Sequence, residues 1–265
     1  MKNIGTINFI QDFFKIVNKE GQEVPFILNP IQLKYLTEDF TGSDIILKAR
    51  QQGFSSVILA LFTKRFLTTP NTYNVVVADN SDNAEGLLAR VKFFIKSACE
   101  KSGDDPDKIL KYNSKYHLFY EKKNSTYIIG TAENKEVGRS KTITNLHLSE
   151  GAFYPDLEKM LASVVQAVVP NGTKIIETTA NGFNLFKDYW EKTKLGGTPF
   201  TPHFYPASAF YSQEVLKQKE KELGRLYKQE YPETDIEAFI SSSESYFSAE
   251  ALEYYIKQVK EPINV

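Results

Sequence analysis

The chain has 265 residues, room for one large α/β domain with a small satellite, and its 42% hydrophobic and 25% charged content is ordinary for a globular protein. A formal net charge of −1 gives no global pull towards nucleic acid, so any DNA contact has to use a local basic patch. No apolar run reaches the roughly 20 residues that span a bilayer, residues 1–17 lack a signal layout, and one cysteine with three histidines excludes an internal disulfide and a zinc site.

In chain order, residues 8–17 read as a short amphipathic helix. Residues 25–28 are apolar, and Asn29-Pro30 turns the chain into a helix carrying Gln32, Leu33, Tyr35 and Leu36. A short strand is expected at 45–47, a helix at 55–66 with Val57, Ile58, Leu61 and Phe62 on its apolar face, and a buried β-branched strand at 74–78. Residues 84–99 show helical spacing (Leu87, Leu88, Val91, Phe94, Ile95) and end at Cys99, read as a buried small apolar residue. Residues 101–108 form a polar turn broken by Pro106. Paired strands at 116–120 and 125–131 flank the turn Lys122-Lys123-Asn124. A strand at 143–148, a helix at 155–169, a strand at 173–178 and a helix at 184–193 follow. Loop signals dominate 196–212, a charged helix covers 213–230, and a Ser-rich linker at 241–245 precedes a last short helix. Alternating strands and helices predict an α/β fold with a parallel sheet covered on both faces, whose ligands bind at the carboxyl ends of strands.

Three polar clusters fall at such ends. The first is Lys48-Ala49-Arg50-Gln51-Gln52-Gly53-Phe54-Ser55-Ser56, between an apolar strand and an apolar helix. Gly53 permits close backbone approach, and the N–H groups after it open a helix, where a phosphate is favoured. The usual phosphate-loop pattern ends Gly-Lys-Ser/Thr. Here Phe54 occupies the lysine slot, Ser55 is positioned for Mg²⁺, and the cation has to come from Lys48 or Arg50. The second cluster is Ser149-Glu150, where an Asp-Glu pair would orient a metal and polarise water. Ser149 replaces the aspartate and can still hold a metal-bound water; Glu150 is the candidate base. His147 reads as a packed histidine. The third is Glu177-Thr178-Thr179-Ala180-Asn181-Gly182, whose small hydroxyl and amide groups can contact a γ-phosphate or its water, closed by an Asn-Gly turn. The order phosphate loop, acid, polar sensor suits one ATP site.

These segments resemble the ATPase domain of the large terminase subunit, the DNA-packaging motor of tailed bacteriophages. Asn29-Pro30-Ile31-Gln32 resembles its adenine-recognition segment. The segment from Lys48 resembles its deviant Walker A, with the lysine moved to the front of the loop. Leu146-His147-Leu148-Ser149-Glu150-Gly151-Ala152-Phe153 resembles its Walker B. Thr178-Thr179-Ala180-Asn181-Gly182 resembles its coupling motif, and Tyr231-Pro232-Glu233-Thr234-Asp235-Ile236-Glu237-Ala238-Phe239 its closing segment. The resemblance implies a P-loop NTPase of the ASCE, RecA-like type. Its expected parts are an N-terminal helical segment packing with the lid (1–24), an ATPase core (25–195), a lid subdomain (196–247) and the start of a linker (248–265) towards a nuclease domain for which the chain has no room.

It further implies ATP and Mg²⁺ as ligands. Lys48 would contact the β- and γ-phosphates with Arg50 in support. Gln51, Gln52, Gly53, Phe54, Ser55 and Ser56 would form the loop, and Gln32 would read adenine. Ser55, and Ser149 through water, would serve the metal. Glu150 would activate water, and Arg139 would be an arginine finger supplied in trans. Implied partners are double-stranded DNA, the portal protein, the small terminase subunit and further copies in a ring, pentameric by expectation, in the host cytoplasm during phage assembly. Nuclease activity is not expected. Rival readings are a nucleotide-binding scaffold that does not hydrolyse, for which Phe54 and Ser149 argue, and a helicase-like ATPase with the same core.

Overall fold

The structure, a computed structural model, describes residues 3–134, 141–239, 254, 255 and 258. It opens with α1 (Ile4–Phe13), an antiparallel hairpin of β1 (Lys15–Val17) and β2 (Glu23–Pro25), and α2 (Pro30–Lys34). Four alternating elements follow: β3 (Ser43–Lys48), α3 (Phe54–Thr68), β4 (Tyr73–Ala78) and α4 (Ser81–Ser102). A short α5 (Pro106–Ile109) leads into β5 (Leu110–Asn113), β6 (His117–Tyr120) and β7 (Ser125–Thr131). Then come β8 (Ile143–Ser149), α6 (Leu157–Ser163), β9 (Val168–Thr178), α7 (Leu185–Lys194) and β10 (Thr201–Tyr205). The described part closes with α8 (Gln213–Leu223), α9 (Tyr227–Glu230) and α10 (Asp235–Phe239).

Eight strands form one sheet in the order β10-β3-β9-β8-β4-β7-β6-β5. Every pair from β10 to β7 is parallel; only β7-β6 and β6-β5 are antiparallel. The central strands β3, β4 and β8 are buried on both faces, and strand alternation sorts their side chains. Ile46 and Val76 enter the core under α1, α3 and α4, while Ile45, Leu47, Val75 and Val77 enter the core under α6 and α7. Lys48 follows Ile46 by two residues, so its side chain emerges on the α3 face, at the sheet's carboxyl edge. A mainly parallel eight-stranded sheet flanked by helices is therefore the observed architecture.

Several elements differ from expectation. β10 falls in the stretch read as loop; it is an edge strand beside β3, and Pro202, tolerated only at an edge, masks its signal. The expected lid boundary at residue 196 thus cuts into the main sheet. The helix expected at 155–169 ends at Ser163, because the Val-rich stretch after it turns into β9. The helix expected at 213–230 is broken at Gly224, whose φ is +52°. Helix α1 starts earlier than expected and stops before β1. Its Ile7 and Ile10 join the core with α3 and α4, so the N-terminal segment packs on the helices of the main sheet, where its apolar face finds partners. The linker expected at 241–245 and Arg139 lie outside the described residues.

Candidate functional site

The loop 49–53 leaves β3 and enters α3 through Gly53, which has φ +80° and offers no side-chain cap. The first N–H groups of this 15-residue helix therefore lack a side-chain acceptor and face the loop, the arrangement that receives a phosphate. The loop is held from both sides. Asn29 Nδ2 donates to the Gln52 carbonyl at 3.2 Å, and Gln32 Nε2 donates to the Gly53 carbonyl at 2.8 Å. The φ of Gly53 favours glycine, and a Cβ there would lie 2.6 Å from Gln32 Nε2 and displace that amide. From the other side, the Gln52 amide donates to the Pro206 carbonyl at 2.8 Å, Arg50 pairs with Glu230 at 2.9 Å, and the Tyr211 hydroxyl donates to the Arg50 carbonyl at 2.9 Å.

Lys48 occupies the centre. Its Nζ lies 3.1 Å from Glu150 Oε1 and 3.2 Å from Glu177 Oε2, with the lysine buried. Burial works against the ammonium, but the Glu177 and Glu150 carboxylates outweigh it and hold Lys48 above its ordinary value. The two acids are driven apart. Burial pushes Glu150 up, reinforced by the neighbouring Glu177 charge. Glu177 is buried more deeply, yet Lys48 and then His147 hold it well below the usual carboxylate range.

Glu150 takes the left-handed conformation, φ +56° and ψ +47°, which a non-glycine residue adopts only under constraint. Its backbone N–H donates to the Glu177 carbonyl at 2.7 Å. Its Oε2 accepts from Thr179 N at 3.1 Å and from the Thr178 hydroxyl at 3.3 Å. The acid of the second cluster and the front of the third are therefore one hydrogen-bonded unit. Asn181 instead donates to the Ala152 carbonyl at 3.3 Å and Gly182, with φ +62°, turns the chain away, while Ala180 is buried.

A cavity of about 580 Å³ is lined by Lys48, Arg50, Gln51, Gln52, Gly53, Ser55, Ser56, Ser149, Glu150 and Thr179. A second, of about 620 Å³, continues from it past Gly53 and Arg90 to Phe26, Ile27, Phe93 and Phe210. Each has the size of a small-molecule site. One half is polar and the other aromatic, which suits phosphates and a base. Gln32 borders the aromatic half, but its amide oxygen caps α2 by accepting from Asn29 N at 3.0 Å, and its nitrogen already serves Gly53. Phe54 points its ring away from the cavity, between Tyr35 and Tyr205 at centroid distances of 5.7 and 4.5 Å. Only its backbone remains for a ligand.

The chain shares its fold with large-terminase structures of tailed phages. The ATPase domain of the Thermus phage P74-26 large terminase superposes with a TM-score of 0.61 at 16% identity, over 80% of this chain and 94% of that one. The fold is that of a phage large-terminase ATPase domain. The HK97 bacteriophage large terminase matches with a TM-score of 0.62 at 19% identity over 87% of this chain and 53% of its own. The large terminase of a thermophilic bacteriophage, in complex with ATP-γ-S, gives 0.55 at 12% identity, over 76% and 51%. The chain thus spans about half the length of the latter two. No family model matches the chain, and no curated protein matches it by sequence.

Within this terminase-type fold, sequence reasoning gave no role to two residues beside the cavity: Glu177, which opens the third cluster, and Arg90. Glu177 is the fully buried end of an apolar strand, Ile175-Ile176-Glu177, and a carboxylate in such a run was itself a signal, because a buried charge needs a partner. Arg90, on α4, lines both halves of the cleft, and among the described residues no carboxylate lies within ion-pair distance of it. Burial lowers its pKa, with partial compensation from Glu177. Nothing in helical spacing marked it out.

Proposed function

We propose that the chain is a Mg²⁺-dependent ATPase that couples hydrolysis to movement of double-stranded DNA into a phage procapsid. The observation that supports this reading best is the convergence of Lys48, Glu150 and Thr179 at the carboxyl ends of three adjacent strands, beside an uncapped helix N-terminus. Lys48, freed from its carboxylates, would contact the β- and γ-phosphates, and the α3 N–H groups would cradle them. Arg50 stays paired to Glu230 and serves as support. Glu150, with raised proton affinity, would take the proton of the attacking water. Its hydrogen bonds to Thr178 and Thr179 give a direct route from a change at Glu150 to the coupling segment. The hydroxyls of Ser55 and Ser149 each lie 2.8 Å from one and the same oxygen, Glu177 Oε1, so both converge on one point as hard oxygen donors for Mg²⁺ would. The ion there would neutralise phosphate charge. The scaffold reading loses its argument from Phe54, whose ring belongs to the core.

The proposal extends to the wider assembly. Portal protein, small terminase subunit and further copies in a pentameric ring would be the partners, in the host cytoplasm, with Arg139 entering a neighbour's site in trans. Gln32 would contact adenine through the one amide hydrogen its bond to Gly53 leaves free. The decisive measurement is steady-state ATP hydrolysis by the parent and by Glu150→Gln. Loss of a general base lowers turnover by about 10²–10⁴-fold, with analogue binding retained. Turnover close to parental in Glu150→Gln would remove Glu150 from the chemistry. Stimulation of parental turnover by double-stranded DNA tests the coupling.

A further inference from the structure

Ser149 leaves β8 without the carboxylate that a phosphate-loop enzyme places beside its metal. One strand over, a carboxylate is present. In the parallel β8-β9 ladder, Ser149 stands in register with Glu177. The lateral step is one strand spacing, about 4.8 Å, and glutamate is one methylene longer than aspartate.

Glu177 is an expensive residue for the fold. It is fully buried, and an ionised carboxylate in that position is tolerated only when paired. Its surroundings are built for that charge. Oε1 accepts from Ser55 Oγ at 2.8 Å and from Ser149 Oγ at 2.8 Å, and it lies 3.3 Å from His147 Nε2. Oε2 faces Lys48 Nζ at 3.2 Å. The two hydroxyls come from the first turn of α3 and the end of β8, so the carboxylate ties the phosphate loop to the neighbouring strand.

Lys48 cannot serve phosphate and carboxylate equally. Once a triphosphate draws the ammonium away, Glu177 loses its counter-cation while still buried, and a second cation has to enter beside Ser55 and Ser149. Carboxylate and hydroxyl oxygens are the hard donors that Mg²⁺ takes.

We propose that Glu177 supplies the carboxylate of the Mg²⁺ site in place of the missing Walker B aspartate, with Lys48 standing in for the metal in the nucleotide-free protein. This rests on reading the cleft as a nucleotide site. The test compares binding of a non-hydrolysable ATP analogue in Mg²⁺ and in EDTA by titration calorimetry, together with Mn²⁺ binding followed by electron paramagnetic resonance. The parent binds the analogue more tightly with Mg²⁺. Glu177→Gln loses at least about tenfold of the metal-dependent gain, taken as the ratio of its own affinities in Mg²⁺ and in EDTA, and its analogue complex loses the Mn²⁺ signal. Moving the carboxylate back, in Ser149→Asp combined with Glu177→Ser, restores the metal dependence that Glu177→Ser alone lacks; this pair decides the matter should Glu177→Gln not fold. Undiminished metal dependence in Glu177→Gln, or no recovery in a folded swap variant, overturns the role of Glu177 and leaves the nucleotide site standing. A parent protein that binds no analogue in either buffer overturns the functional reading, and this role with it.

Discussion

Replacing Lys48 by methionine tests the electrostatic core of the site without any nucleotide. Lys48 Nζ sits 3.1 Å from one carboxylate and 3.2 Å from the other. At an effective dielectric of about 20, unit charges roughly 3.2 Å apart attract by ~5 kcal/mol. Desolvation of both partners cancels much of that. The cost of deleting one partner is nevertheless about 3–5 kcal/mol, because the survivor stays buried and uncompensated. The side chain of Glu150 is 26% exposed and can turn to water, whereas that of Glu177 is 0% exposed and cannot. Lys48→Met is therefore expected to lose at least ~3 kcal/mol, which for a chain of this size lowers Tm by roughly 6–12 °C. Glu177→Gln placed in the Lys48→Met background should recover part of the loss, with a coupling of ~2 kcal/mol or more in the double-mutant cycle. Urea unfolding followed by circular dichroism, without nucleotide or divalent ions, gives all four corners. Lys48→Met within ~0.5 kcal/mol of the parent, with strictly additive changes, would refute the claim that Lys48 neutralises a buried carboxylate.

Phe54→Lys recreates the usual motif letter but buries an ammonium between Tyr35 and Tyr205; it should lose about 3–5 kcal/mol by thermal melting and gain no affinity for ATP analogues. Gly53→Ala meets Gln32 Nε2 at 2.6 Å with φ at +80°, so a loss of about 1–3 kcal/mol is expected, read as a lower Tm together with weaker analogue binding. Arg90→Ala removes a cleft cation with no ion-pair partner among the described residues, and analogue affinity measured by calorimetry should fall about tenfold while Tm moves by less than about 2 °C.

The α/β class and the places of the central strands along the chain were legible because their side chains obey simple rules. The β-branched run Val75-Val76-Val77 and the helical spacing of Leu87, Leu88, Val91, Phe94 and Ile95 each have one natural reading, and the structure buries all of them. Failures came where a local signal was opposed by its tertiary setting. Thr201-Pro202-His203-Phe204-Tyr205 has a proline in it, and only its place at the sheet edge beside β3 makes it a strand. Residues 164–169 continue a helical pattern on paper, but 165–167 tighten into a 3₁₀ turn, and Val168 and Val169 open the long strand β9 instead. Strand β5, four residues long and exposed over most of its length, carried too little pattern to be seen.

The site shows the same division at closer range. A loop can be read along the chain, so Lys48, Gly53, Ser55 and Glu150 were found as positions in strings. Glu177, present in the third string but given no role there, and Arg90, not singled out at all, reach the cleft through register and helix packing, which no string records. Ser149 illustrates why this matters. Along β8 it is a missing aspartate and argues for a weakened enzyme; across the ladder it is the partner of a carboxylate 2.8 Å away. Phe54 behaves likewise: in the loop it is a lost lysine, and in space it is a core residue whose neighbours leave no room for a charge. Both departures are accounted for once the cation is taken from the end of β3 and the carboxylate from the end of β9. On the proposed reading, the two functions lost by substitution in the strings would be held by two side chains 3.2 Å apart, which links the departures. A variant that restores only one of the usual letters should do worse than the parent, because it leaves the other half of the exchanged pair without its partner.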